Sequence, residues 1–64
     1  MHKVKIQSVS RDLVGNSALV RADIMENRVR FSRVADAIEI EIEGGARMSL
    51  EELTATVLEE YQNA

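Results

Sequence analysis

The chain has 64 residues, no cysteine and a formal net charge of −3 at pH 7. This length predicts one small domain, and the lack of cysteine excludes disulfides and thiolate zinc sites. A hydrophobic content of 45% is typical of a globular chain. No apolar run reaches the roughly 20 residues that span a bilayer, and the first residues lack the apolar core of a signal peptide. A cytoplasmic protein without membrane contact is therefore predicted.

Charge is divided unevenly along the chain. Residues 1–34 carry seven basic and three acidic side chains, whereas residues 35–64 carry one basic and eight acidic ones. Such a split fits a nucleic-acid surface with an acidic tail, or two halves that neutralise each other after folding. The strand pattern favours the second interpretation.

The N-terminal part predicts two strands. Residues 3–9 alternate apolar and polar side chains, until Ser8 and Val9 break the period and indicate a β-bulge or a strand end. A loop over residues 10–17 follows, rich in turn-forming residues. The second strand is predicted over residues 18–25.

Two further alternating segments carry opposite charges. Residues 28–34 place arginines on their polar positions, and residues 38–43 place glutamates there. We expect them to form a third and a fourth strand, with a two-residue turn at Glu26-Asn27 and a connection near residues 34–36.

The resulting register brings opposite charges together. Arg30 is expected between Asp23 and Glu39, and Arg28 beside Glu41. The arginine and glutamate segments would then cancel as neighbouring strands within one molecule.

The C-terminal part predicts an amphipathic helix of about three to four turns ending near Tyr61. After Gly44-Gly45, Ser49 and Glu52 have the spacing of a capping box. Apolar residues then recur at helical intervals, and most of the glutamates lie away from them.

The predicted fold class is α+β: a small antiparallel four-stranded meander sheet (ββββα) with one C-terminal helix packed on one face. Residues 1–64 form a single domain. The expected core consists of Val4, Ile6, Val20, Ile24, Val29, Phe31, Ile38, Ile40, Ile42, Leu50, Leu53, Val57, Leu58 and Tyr61, with Leu13 and Met48 at its margins. Leu13 and Val14 are expected to fold back over the core edge. One helix covers little of the apolar face of a four-stranded sheet. We therefore predict a homo-oligomer, most simply a two-fold dimer.

These residues give little support for a catalytic site or a cofactor site. The only histidine, His2, lies at the chain start, and no nucleophile-base set is present. Glu39, Glu41 and Glu43 share one face of a predicted strand, but an open face beside arginines lacks the cleft that separates two carboxyl pKa values. No catalytic residue, metal site or cofactor is predicted, and a carboxylate-based cation site or enzyme is the least favoured alternative.

The leading hypothesis is a small non-enzymatic protein-interaction module that self-associates and binds an unidentified protein partner. Its expected interaction surface comprises Arg28, Arg30, Glu39, Glu41, Leu58 and Tyr61. The alternative is a nucleic-acid-associated regulator using a basic sheet edge formed by Lys3, Lys5, Arg11 and Arg21. Strand alternation argues against nucleic acid at residues 28–33, because it places Phe31 on the opposite face from Arg28 and Arg30.

Overall fold

A computed structural model describes residues 2–63, which form one antiparallel sheet and a C-terminal helix. The sheet has the strand order β1-β2-β3. The elements are β1 (His2–Asp12), β2 (Ser17–Asn27), β3 (Ser32–Glu43), a 3-10 helix (Gly45–Arg47) and α1 (Leu50–Asn63).

The α+β class is confirmed, but the four-stranded sheet is wrong, because the sheet has three strands. The expected two-residue turn at Glu26-Asn27 does not form. Asn27 pairs with Ser32, so residues 28–31 make the turn of the β2–β3 hairpin. The Arg28 N–H donates to the Phe31 carbonyl at 2.7 Å and closes this turn. The separate strand that the alternation of residues 28–34 predicted therefore does not exist.

The predicted connection near residues 34–36 lies inside β3. Ile24 pairs with Asp36 and Met25 with Val34, which leaves Ala35 as the extra residue of a β-bulge. A bulge keeps the strand continuous where a turn was expected, which agrees with the lack of turn-forming residues there.

Because the basic and acidic segments belong to one turn and one strand, they cannot pair with each other within the chain. The predicted pairs of Arg30 with Glu39 and of Arg28 with Glu41 are therefore wrong. The predicted pair of Asp23 with Arg30 is also wrong, because Asp23 pairs with Ala37. Glu39 instead faces Arg21 across β2, with Arg21 Nε 3.2 Å from Glu39 Oε2.

The N-terminal hairpin follows the sequence more closely. The register shift between Ile6 and Ser8 confirms the β-bulge predicted in β1. The strand then continues to Asp12, and residues 13–16 form the turn, with Asn16 at a φ of 53°. Leu13 and Val14 are 66% and 100% exposed, so the expectation that they cover the core is wrong.

The capping box that starts α1 is confirmed. The Ser49 N–H donates to Glu52 Oε1 at 3.1 Å, and the Glu52 N–H donates to Ser49 Oγ at 3.2 Å. These reciprocal bonds satisfy two of the amide groups that a helix N-terminus leaves without partners.

The core lies between α1 and the face of the sheet that carries Val20, Ala22 and Ile24, called here the helix-bearing face. Leu53 and Val57 of α1 are fully buried against it. Three alanines that were not expected in the core, Ala18, Ala22 and Ala46, are at most 3% exposed. The complete set of buried apolar residues is Ala18, Val20, Ala22, Ile24, Ile42, Ala46, Leu53 and Val57.

Three other residues of the predicted core lie in water. Val29 is 104% exposed, Phe31 57% and Leu50 59%. Val29 and Phe31 belong to the hairpin turn rather than to a covered strand, which removes them from the core. Leu50 is in the first turn of α1, away from the sheet.

Cover by α1 decreases along β3. Ile42 is buried, Ile40 and Ile38 are half-buried, and every residue of Ser32–Ala37 is exposed. A helix of 14 residues is about 21 Å long, whereas strands of 11 or 12 residues extend about 36–40 Å. The molecule is accordingly elongated, with extents of 44 × 21 × 17 Å. One end of the β2–β3 hairpin therefore projects beyond the helix.

Candidate functional site

The outer edge of β3 is a backbone surface that the fold leaves open. Within residues 2–63, β3 pairs with β2 on one side and with no strand on the other. The Gly44 N–H donates to the Asn16 carbonyl at 2.7 Å, and this bond shows which residues of β3 hydrogen-bond to β2. Because antiparallel pairing alternates, even-numbered residues from Ile38 to Ile42 turn their amides toward β2. The outward-pointing amides belong to Ala37, Glu39, Glu41 and Glu43.

Apolar side chains flank this edge on the helix-bearing face. A shallow groove between β3 and α1 is lined by Ile38, Ile40, Tyr61 and two glutamates, Glu39 and Glu60. Ile38, Ile40 and Tyr61 pack against the core while remaining half-buried. A partner strand on the β3 edge would cover their exposed parts.

The other edge of the sheet, β1, is better protected. The helix contacts β1 more extensively than β3, and the 3-10 helix also packs against β1. The bulge between Ile6 and Ser8 lies in the middle of β1, and bulges are a common means of preventing edge-to-edge pairing. On β3 the bulge at Ala35 leaves residues 36–43 without a register shift. The two edges therefore differ in their capacity to accept a strand.

The predicted interaction residues occupy three places. Arg28 and Arg30 are in the hairpin turn, and Leu58 and Tyr61 are on α1. Glu39 and Glu41 lie on β3, on the sheet face opposite the helix. Tyr61 and Glu39 both line the groove beside the β3 edge, whereas the two arginines lie beyond the end of that strand.

Charge changes sign along this edge. We call residues 28–33, which are the hairpin turn and the first two residues of β3, the basic turn; they carry Arg28, Arg30 and Arg33. We call residues 38–43 the acidic half of β3; they carry Glu39, Glu41 and Glu43. Ala35 and Ala37, with Asp36 between them, separate the two regions.

Glu26 at the end of β2 holds two of these arginines. Arg33 Nε and Nη2 donate to Glu26 Oε2 at 3.1 and 2.9 Å, and Arg28 forms an ion pair with the other carboxylate oxygen. The hydrogen bond from Arg33 is the main cause that lowers the pKa of Glu26. Partial desolvation opposes this effect, and the positive charge of Arg28 adds to it. Arg30 has no ion-pair partner within residues 2–63.

The residues predicted for nucleic-acid binding lie on two neighbouring strands, β1 and β2. Lys3 and Lys5 lie on β1, while Arg21 of β2 is paired with Glu39. The Arg11 guanidinium donates to the carbonyl oxygens of Gly45, Ala46 and Met48, which gives it a structural role.

Residues 2–63 contain no cluster of three or more His, Asp or Glu side chains arranged to hold a metal ion. His2 packs edge-on against Tyr61, with ring centroids 5.8 Å apart. A depression near the β1 bulge contains Asp23 and Glu39, but each carboxylate is bonded, to Gln7 and Arg21 respectively.

Comparison with known proteins identifies no relative. No family model, curated protein or solved structure matches the chain. No helix within residues 2–63 has the combined length and apolar character needed to cross a bilayer.

Proposed function

We propose that the protein is a small non-enzymatic interaction module that self-associates by pairing the outer edges of β3. The observation that carries this proposal is the open β3 edge, whose outward amides run from Ala37 to Glu43 beside a partly exposed apolar groove. An edge strand with free N–H and C=O groups is a ready template for another strand.

Pairing at this edge would also cover side chains that the fold leaves partly or fully exposed. Ile38, Ile40 and Tyr61 would lose contact with water, and Ser32–Ala37 would gain a neighbour on their uncovered side. Removing apolar surface from water stabilises association. A chain of 64 residues with a small core gains proportionally more from such contacts than a larger domain does.

Replacement of Ala37 by proline tests the proposal. Ala37 is exposed and its amide points away from β2, so Ala37→Pro removes an outward donor while leaving the β2–β3 hydrogen bonds in place. In a two-fold dimer both copies lose this donor. We expect the dissociation constant, measured by sedimentation equilibrium, to increase at least about tenfold.

Ala37→Val is the matched control, because it keeps the amide and suits a strand. We expect it to associate like the wild type. Circular dichroism verifies that both variants fold, and Glu41→Pro repeats the test at a second outward amide. A wild-type chain that is monomeric at high micromolar concentration, or proline variants that associate as tightly as the wild type, would contradict the proposal.

Nucleic-acid binding at the basic turn is a second candidate function. The turn places Phe31, 57% exposed, beside Arg28 and Arg30 at a projecting end of the molecule. Residues 28–31 form a turn and not a strand, so the alternation that was expected to place Phe31 and these arginines on opposite faces does not apply. Arginines combined with an exposed aromatic ring are the chemistry that binds phosphates and stacks on bases.

A gel-shift titration with single-stranded and duplex oligonucleotides at 50 mM salt tests this second candidate. We expect binding that weakens steeply with salt and that Phe31→Ala reduces about tenfold or more for the single strand. Val14→Ala, in the exposed turn at the other end of the sheet, is the control. Absence of binding at 50 mM salt removes this candidate.

A further inference from the structure

We infer that two copies pair their β3 strands antiparallel, about a two-fold axis near Ala37, so that the basic turn of each copy lies beside the acidic half of the other. This inference rests on the proposed self-association through β3 and adds its direction, register and symmetry. The second copy is thus both the partner and the source of the neutralising charge.

The charge order along the chain carries the argument. From residue 28 to residue 43, three arginines come first, a short stretch centred on Asp36 follows, and three glutamates come last. An antiparallel two-fold arrangement reverses this order in the second strand. Each basic end then meets an acidic end, and the contact is the same on both sides of the axis.

Charges at both ends are available for this contact. Within residues 2–63, Arg30 of the basic turn and Glu41 and Glu43 of the acidic half form no ion pair. All three residues are exposed. The neutralisation that the alternating segments suggested does not occur within one chain, so these charges are free to interact with a second copy.

Several other arrangements of the same edge bring like charges together. Parallel pairing in register would set each glutamate beside its own copy in the partner. Antiparallel pairing centred on Glu39 or Ile40 would also oppose glutamates, because both acidic halves would overlap. Like charges directly across a strand pair are destabilising.

Centring on Ala37 avoids this repulsion. Counting outward from the axis, Glu39 lies opposite Ala35 of the second copy, and Glu43 lies near the turn that carries Arg30. Arg33 is opposite Glu41 along the strand, but it projects on the helix-bearing face with Glu26, so the unpaired positive charge near the acidic half comes from Arg30. The bulge at Ala35 offsets the last pairs by about one residue, and the long arginine side chains span that offset. Small side chains at Ala35 and Ala37 allow close approach near the axis.

Complementary charge reversals test the register. One variant, Glu41→Lys with Glu43→Lys, makes the edge predominantly basic; the other, Arg28→Glu with Arg30→Glu, makes it predominantly acidic. Each alone would oppose like charges across the axis and should dissociate at least about tenfold more readily than the wild type. An equimolar mixture should restore association to within about threefold of the wild type, because the heterodimer again pairs opposite charges.

Control variants separate register from folding and from net charge. Glu51→Lys with Glu59→Lys makes the same charge change on exposed positions of α1 and should leave association unchanged. Arg30→Glu alone keeps the contacts of Glu26 with Arg28 and Arg33, and should weaken association in the same direction if the double variant folds poorly. Urea unfolding measures the stability of each variant.

The outcomes distinguish this inference from the broader proposal. If Ala37→Pro dissociates the protein but each reversed variant self-associates like the wild type, β3 pairing stands and the antiparallel register is wrong. If the reversed variants dissociate and their mixture does not recover, charge complementarity across the axis is also wrong. If Ala37→Pro has no effect, the edge itself is not the interface.

Discussion

Arg11 shows how one side chain can connect distant parts of a small fold. Its Nη1 lies 3.3, 3.0 and 2.7 Å from the carbonyl oxygens of Gly45, Ala46 and Met48. These carbonyls belong to the segment that leads from β3 into α1, so β1 holds that segment in place. Hydrogen bonds from a charged donor are stronger than neutral ones.

Arg11→Met should destabilise the protein by about 1–2 kcal/mol, because the carbonyl groups lose a charged donor while the apolar stem is kept. Urea denaturation of both proteins gives the difference in unfolding free energy. Arg47→Met is the matched control: Arg47 is exposed and forms no ion pair within residues 2–63, so its change should stay within about 0.5 kcal/mol. Equal stabilities of the two variants would contradict a structural role for Arg11.

Adjacent glycines explain why the chain can turn from β3 into the 3-10 helix. Gly44 has a φ of 77°, in the left-handed region that side chains disfavour. At Gly45, an added Cβ would lie 3.0 Å from the Cβ of Ala18, because this residue packs tightly on the sheet. The sequence indicated a turn here, and the tertiary packing explains the need for a second glycine.

At the scale of elements, the end of the β2–β3 hairpin is held by Glu26. Its carboxylate binds Arg33 by two hydrogen bonds and Arg28 by an ion pair. Arg33 is its register partner on β3, whereas Arg28 starts the turn. One carboxylate thus ties both sides of the hairpin end together.

Acidification should remove the stabilisation that Glu26 provides. The Arg33 hydrogen bond, opposed by desolvation and supported by Arg28, lowers the folded-state pKa of Glu26. Its stabilising effect is therefore complete above the unfolded-state pKa and disappears as the pH falls through the lowered folded-state pKa. We expect the stability difference between the wild type and Glu26→Gln, measured by urea unfolding, to be largest near pH 7 and to shrink toward pH 3. A difference that grows on acidification would be contrary to this linkage.

Local sequence patterns predicted some elements correctly and others wrongly. The bulge after Ile6 and the Ser49–Glu52 capping box were predictable because each depends on neighbouring residues. The alternation of residues 28–34 was misleading, because a short alternating run does not reveal whether the chain turns within it. Residues 28–34 alternate apolar and polar side chains as a strand does, but nothing covers the apolar Val29 and Phe31, which are exposed.

For the whole molecule, the mismatch between helix and sheet length is the main feature. α1 covers Ile42 but leaves Ser32–Ala37 exposed on β3. The proline and charge-reversal experiments belong to this scale, because they address how two elongated molecules would share one uncovered edge. In that arrangement association should also weaken with added salt, because exposed charges are screened.

The proposed interaction site was only partly accessible from sequence. The opposite charges of the arginine and glutamate segments, and the thin cover that favours a dimer, were visible in the residues. Which strand edge is open was not visible, because it depends on strand number and on where the helix lies.

The amino-acid sequence by itself determined the local features of this protein: the amphipathic helix and its cap, the first bulge, and the charge order from Arg28 to Glu43. Only the tertiary structure decided that this charge order follows one turn and one edge strand instead of two paired strands. The physical reason is that alternation specifies which face a side chain occupies, whereas strand pairing depends on long-range contacts and on where the backbone reverses.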